Sequence, residues 1–229
     1  MIRAIIFDFN GIIIDDEPIH MEMFQKVLSE ENLKLTKDQY YQNYLAMDDQ
    51  RCFQKIYREK NINLDDTTLK TLIERKARYY QEAIHSRSLL FPDAAHIIKT
   101  FSKHMPLAIA SGALRQEIIS TLEKEGLLEN FSAIISAEDT VNGKPHPECY
   151  LLALNALNEA QIVNKPLTEK ECIVIEDAIG GIEATHRAGM KCIAVAHTYP
   201  REMLDHADMV LDRIGELTLS MILSHNNIA

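Results

Sequence analysis

Two patterns of apolar and polar positions run along this chain, and the change between them divides it. The run Ala4 to Phe7 is apolar, has no polar alternation and ends at a turn signal, which predicts a strand buried on both faces of a parallel sheet. Residues 16 to about 90 then carry a helical period. Pro18 suits a first helical turn, and Ile19, Met23, Phe24, Val27 and Leu28 follow at helical spacing. Further helices are expected near 36–46, 49–60 and 66–85, with Asn61-Ile-Asn-Leu64 as a break, and no segment of this block reads as a strand. Beyond Phe91-Pro-Asp93 the pattern alternates: helix 93–103, strand 106–110, helix 114–125, strand 132–135, helix 147–158, strand 172–176, helix 180–188, strand 191–195, strand 208–211 and a terminal helix near 214–224. Such alternation marks an α/β protein, a parallel sheet with helices on both faces. The strand at Ala4 belongs to that sheet, so the helical block reads as an insertion: 1–15 and 91–229 form the core, 16–90 a helical domain.

Composition narrows the class. With 229 residues, 46% of them apolar, the chain can bury one large core, or one core and a smaller domain. Its apolar runs are short and interrupted, so no membrane span is expected. Asp8, Asp15, Asp16 and Glu17 fall within the first twenty residues, which excludes a secretory leader and points to a cytoplasmic protein. A net charge of −10 argues against nucleic acid or an anionic membrane as partner. It leaves an anionic small substrate open. Cys52, Cys149, Cys172 and Cys192 have no zinc or redox spacing, and a monomer is expected.

Candidate chemistry sits at predicted strand ends, where open α/β sheets bind ligands. Asp8 ends the first strand and Gly11 lets the chain turn sharply away, although an Asp there can also simply cap a turn. Leu107-Ala-Ile-Ala-Ser111-Gly112 offers a hydroxyl and a flexible backbone before a helix, suited to phosphate oxygens or to a plain serine cap. Asn142-Gly-Lys144-Pro145-His-Pro147 holds a cation in a proline-flanked loop, where a solvated lysine is the alternative. Ile173-Val-Ile-Glu176-Asp177-Ala-Ile-Gly180-Gly181 places two adjacent acids at a strand end. They would repel unless a positive charge lay between them and Asp8. Magnesium, with its preference for oxygen ligands and few carboxylates, answers that need. A cap on the following helix would account for Asp177 but not for both acids.

In this order, the Asp8 motif, Ser111, Lys144 and Glu176-Asp177 with its glycines resemble the haloacid dehalogenase-like hydrolase superfamily. The inserted helices and Asp15-Asp16-Glu17-Pro18-Ile19-His20 are similar to the subgroup that contains β-phosphoglucomutase and sugar-phosphate phosphatases. The resemblance implies a Rossmann-like parallel core with an inserted all-helical cap, and a magnesium-dependent phosphohydrolase acting on a small phosphorylated metabolite, a sugar phosphate above all. It implies that Asp8 attacks phosphorus to form an aspartyl phosphate. Magnesium would be held by Asp8, the Asn10 main-chain carbonyl and Asp177, with Glu176 acting directly or through water. Ser111, Gly112 and Lys144 would hold phosphoryl oxygens.

One residue departs from the family pattern. Asn10 stands where these phosphatases and mutases generally carry a second Asp as general acid and base, and a carboxamide cannot give up and recover a proton at neutral pH. Asp15, Asp16, Glu17 or His20 could take over that transfer. The alternatives to a phosphatase are a phosphomutase and a catalytically impaired protein that binds a phosphometabolite. In the helical block, Leu45-Ala-Met-Asp-Asp-Gln-Arg51 carries acids where the mutase has a glycine-containing turn, which weakens the mutase reading. Lys76 stands where related caps carry a lysine that can reach the active site. The alternative for Lys76 is a charge on a solvated helix. His20 and Lys76 are the candidate substrate contacts.

Overall fold

In the computed structural model, which describes residues 1–45, 47, 49–86, 88–160 and 165–224, the chain separates into two compact units. One comprises Met1–Asp15 and Leu90–Ala229, the other Asp16–Leu89.

The first unit is built on a six-stranded sheet. Its strands are β1 (Ala4–Phe7), β2 (Leu107–Ala110), β3 (Ala133–Ile135), β4 (Cys172–Glu176), β5 (Lys191–Val195) and β6 (Met209–Leu211), paired in the order β3-β2-β1-β4-β5-β6 with every pair parallel. Its helices are α5 (Ala94–Phe101), α6 (Arg115–Lys124), α7 (Glu148–Glu159), α8 (Ile179–Arg187) and α9 (Leu219–Ser224), the number following the four helices of the other unit. On one face Ile6, Ala108 and Val174 pack with Tyr150, Ala153 and Leu157 of α7. On the opposite face Ile5, Phe7, Ile109 and Ile175 are also fully buried. Burial on both faces is why these strands read as unbroken apolar runs.

Strand order sets the position of the crevice. From β1 the chain proceeds outward to β2 and β3 on one side, then returns to place β4 on the other. Ligands of open α/β sheets bind beyond the carboxyl ends at such a reversal. Here that point lies between β1 and β4, whose register sets Phe7 opposite Ile175.

Among the boundaries that differ from the expected ones, two in this unit have clear local reasons. Pro106, which has no N–H, lies outside β2, although its carbonyl still accepts from the Ile5 amide at 3.2 Å. The terminal helix begins at Leu219 rather than near 214. Ile214–Glu216 forms a single 3-10 turn, buried Leu217 is extended (φ −68°, ψ 122°), and Thr218 Oγ1 accepts from the Met221 amide at 3.3 Å to start the helix.

The second unit holds α1 (Glu17–Glu30), α2 (Lys37–Asn43), α3 (Asp49–Glu59) and α4 (Asp66–Ser86), and no strand among the described residues. Phe24, Val27, Leu28, Tyr40, Phe53, Ile56 and Leu72 form its core. Thr36 and Gln39 open α2 with a reciprocal capping box, and α2 closes at Asn43, short of the expected 46. Ala46 and Asp48 lie outside the described residues. Asn61, in the left-handed region (φ 56°), ends the α3 segment, and Asp65 Oδ1 accepts from Thr68 N at 2.8 Å to cap α4. No helix in the described residues is long and apolar enough to cross a membrane.

Candidate active site

The register of β1 on β4 brings two strand ends together. The Asp8 amide donates to the Ile175 carbonyl at 2.9 Å, so Asp8 leaves β1 beside the point where β4 ends in Glu176. Asp8, Glu176 and Asp177 are all buried, and each offers a carboxylate oxygen within 4.8 Å of the others. The loop before α7 adds a cation: Lys144 Nζ lies 2.7 Å from Glu176 Oε1 and 3.1 Å from Asp8 Oδ2.

Glu176 is saturated. Oε1 accepts from Lys144 Nζ and, at 2.8 Å, from the Tyr150 hydroxyl; Oε2 accepts from the amides of Asp177 (2.8 Å) and Ala178 (2.9 Å). Four donors match the four lone-pair directions of a carboxylate. Its place in the cluster is therefore that of an anchor for Lys144 and for the turn into α8. Asp8 Oδ1 accepts from the Phe9 amide at 2.8 Å. Asp177 does not cap α8, whose N-cap position is Ala178. Instead its Oδ2 accepts from the Thr198 hydroxyl.

Charge in this crevice is unbalanced. Burial pushes the Asp8 carboxyl up to about 6; Lys144 works against this and Glu176 adds to it. Burial, then the charges of Glu176 and Asp8, hold Asp177 well above the usual carboxylate range. Burial would also raise Glu176, but Lys144 outweighs it and keeps this carboxyl low. Burial would lower Lys144, yet the charges of Asp8 and Glu176 hold its ammonium above the usual lysine range. Among the described residues, three carboxylates thus face one lysine. A further cation with a preference for oxygen, a hard divalent ion, fits the donor set.

Ser111 and Gly112 follow β2. The Ser111 amide donates to the Ile135 carbonyl at 3.0 Å, and its hydroxyl accepts from the Ala113 amide at 3.1 Å and reaches Asn10 Oδ1 at 3.5 Å. Ser111 is thus both a local cap and a buried hydroxyl turned toward the end of β1. Among the described residues nothing lies within 4 Å of where a Cβ on Gly112 would be. Asn10 sits in the tight turn after β1, where the Gly11 amide donates to the Ile14 carbonyl at 2.9 Å.

Several supporting residues carry no sequence signal of their own. Tyr150 reads as one more apolar position of α7, and Thr198 and His197 as ordinary loop residues after β5. His197 Nδ1–H donates to the Gly11 carbonyl at 2.8 Å while its ring stacks on Phe91. Two glycines are required by packing. A Cβ on Gly11, whose φ is +76°, would come within 1.9 Å of Asp177 Oδ2, and one on Gly181 within 1.7 Å of Glu176 Oε1.

His20 and Lys76 belong to the helical unit and to one connected chain of polar groups there. Lys76, 1% exposed, is no solvated lysine: its ammonium reaches Asp49 Oδ1 at 2.5 Å and His20 Nδ1 at 2.8 Å, and lies over the Phe24 ring at 4.3 Å. An ammonium only donates, so His20 accepts at Nδ1 and donates from Nε2 to Asp16 Oδ2 at 3.1 Å. The Tyr80 hydroxyl donates to the same Asp16 oxygen at 2.8 Å.

Residues 5–195 match the model of the haloacid dehalogenase-like hydrolase family. The chain is 27% identical over 228 residues to YhcW of Bacillus subtilis (strain 168), covering 99% of each chain. It is 26% identical over 198 residues to the phosphorylated carbohydrates phosphatase of Thermotoga maritima, covering 86% of each. Among solved structures, β-phosphoglucomutase from Clostridium difficile superposes with a TM-score of 0.79 at 24% identity, over 99% of this chain and 98% of that one. With the family model spanning most of its length and its sheet carrying Asp8, Lys144, Glu176 and Asp177 to one crevice, this chain belongs to the haloacid dehalogenase-like hydrolases.

Proposed function

We propose that the protein is a magnesium-dependent phosphohydrolase that takes phosphoryl groups from a small phosphorylated metabolite, a sugar phosphate, onto Asp8. The observation that carries this reading is Lys144 held between Asp8 and Glu176, at 3.1 and 2.7 Å, beside Asp177. A carboxylate nucleophile must approach an anionic phosphate. That approach is feasible only where cations and donors are already in place.

The Phe9 amide and Lys144 orient Asp8, leaving its carboxylate to attack phosphorus while the bond to the leaving oxygen breaks. Lys144, anchored by Glu176, faces the transferred oxygens, and Ser111 with the Gly112 backbone supplies further donors. Magnesium, held by Asp8, Asp177 and the Asn10 carbonyl, with Glu176 anchoring Lys144 beside them, would supply the positive charge that three carboxylates and one lysine lack. In the second step water attacks the phosphorus of the Asp8 phosphate, and the P–O bond to Asp8 breaks. Asn10 donates a hydrogen bond to a leaving oxygen but relays no proton, so the leaving oxygen takes its proton from solvent and the attacking water gives one up to solvent, without the family's usual acid and base. The inserted helical unit is assigned as the cap. Support for a sugar phosphate comes from the Thermotoga maritima relative, whose name states that it acts on phosphorylated carbohydrates.

Asn10 also favours a second reading, a protein that binds a phosphometabolite and turns it over very slowly. The deciding test is release of inorganic phosphate from an aryl phosphate, whose leaving group needs little protonation, and from a panel of sugar phosphates, with and without magnesium. Magnesium-dependent release lost in Asp8→Ala supports the hydrolase. Tight binding of a sugar phosphate without turnover of either class supports the binder, and release indifferent to Asp8→Ala overturns both.

A further inference from the structure

Asp177 is held from two sides by groups to which the proposed chemistry gives no role. Thr198, in the loop after β5, donates its hydroxyl to Asp177 Oδ2. Gly11 lies against that same oxygen, so closely that a Cβ would come within 1.9 Å of it. The residue next to Thr198 secures Gly11 in turn. His197 Nδ1–H donates to the Gly11 carbonyl at 2.8 Å, and the His197 ring is stacked on Phe91 with centroids 3.8 Å apart. The loop after β5 therefore grips the turn after β1 and the carboxylate after β4, closing a small ring of contacts beside the carboxylate cluster.

The two oxygens of Asp177 are left unequal. Oδ2 is committed to Thr198, while Oδ1 takes no hydrogen bond among the described residues. Gly11 abuts Oδ2 but makes no hydrogen bond to it, so the Thr198 hydroxyl is what sets the carboxylate's rotation about its last torsion. The contrast with Glu176 is sharp, because four donors fix Glu176 from within its own neighbourhood.

We propose that Thr198 is a positioning residue for the cation site: its hydroxyl holds Oδ2 of Asp177 so that the other oxygen is presented to the divalent ion shared with Asp8. This rests on the magnesium reading above. Hydrogen bonds that orient a metal-ligating group typically change metal affinity about 10- to 100-fold when removed. Thr198 contacts no reacting atom in this account, and its influence runs wholly through Asp177.

The test is magnesium affinity of the whole chain, measured by calorimetric titration, with manganese binding followed by electron paramagnetic resonance as a second probe. Thr198→Val, which keeps the shape and loses the hydroxyl, is expected to weaken magnesium by about 10- to 100-fold, while Thr198→Ser keeps an affinity near that of the unaltered protein. Urea midpoints of the metal-free proteins separate orientation from loss of fold. Thr198→Val binding magnesium as tightly as the unaltered protein overturns the inference, as does Thr198→Ser failing as badly as Thr198→Val. Absence of magnesium binding by the unaltered protein overturns the cation reading itself, and the inference with it.

Discussion

Lys144 Nζ and Glu176 Oε1 stand 2.7 Å apart, the glutamate side chain fully buried and the lysine side chain 18% exposed. Asp8 completes the charge chain at 3.1 Å from the same ammonium. Removing one partner of such a buried pair leaves a desolvated charge behind, which typically costs about 3–5 kcal/mol. Lys144→Met is therefore expected to lower the urea-denaturation free energy by about that much at neutral pH. Adding Glu176→Gln to Lys144→Met should recover part of the loss. A double mutant no more stable than Lys144→Met alone would show that the pair is not coupled.

Asn10→Asp should restore a group that can give and take a proton. General acid–base help is typically worth about 10²- to 10⁴-fold. The gain in kcat should approach that range for sugar phosphates, whose alkoxide leaving groups need protonation, and be much smaller for aryl phosphates. Steady-state phosphate release on both substrate classes measures it, and equal gains on both would contradict the missing-acid account.

Magnesium affinity should fall on the acid side of pH 6. Burial raises Asp8 to about 6 in the metal-free protein, with Lys144 opposing the shift, and burial with the charges of Glu176 and Asp8 holds Asp177 above the usual carboxylate range as well. A divalent ion binds the ionised carboxylate, so below that pH it must displace a proton, and affinity should drop by up to about tenfold per pH unit for each proton released. An ordinary carboxylate would stay ionised down to about pH 4. Titrations at pH 5, 6 and 7 in matched ionic strength distinguish the two, and proton release on binding should rise as pH falls.

Gly181→Ala would ordinarily strengthen a helix by about 1 kcal/mol. Here the added methyl would meet Glu176 Oε1 at 1.7 Å, so the expected outcome is a lower thermal midpoint and weaker magnesium binding. Gly180, also in α8, has nothing among the described residues within 4 Å of where its Cβ would stand and serves as control: Gly180→Ala should leave magnesium affinity unchanged.

The α/β class was legible because a strand buried on both faces must be apolar throughout. Ala4–Phe7, Leu107–Ala110 and Cys172–Glu176 carry that mark with only Glu176, at a strand end, excepted. Less legible were boundaries that rest on single hydrogen bonds, such as the start of α9 at Leu219, capped by Thr218. For Lys76 the sequence left two readings open, a lysine reaching the active site and a charge on a solvated helix, and its burial was not legible. A lysine inside a charged helical stretch looks solvated, and only the packing of α1 and α3 against α4 buries it between His20, Asp49 and Phe24.

By itself the sequence determined which chemical groups end the apolar runs: a carboxylate after β1, a hydroxyl after β2, a lysine in a proline-flanked loop, and paired acids at the end of β4. Residue types and local turns are properties of neighbours along the chain. Tertiary structure alone decided that Phe7 pairs with Ile175, that Tyr150 and Lys144 both reach Glu176, and that Thr198 takes Asp177. Those outcomes depend on strand order and register, which are set by the burial of the whole sheet and leave no mark at any one position.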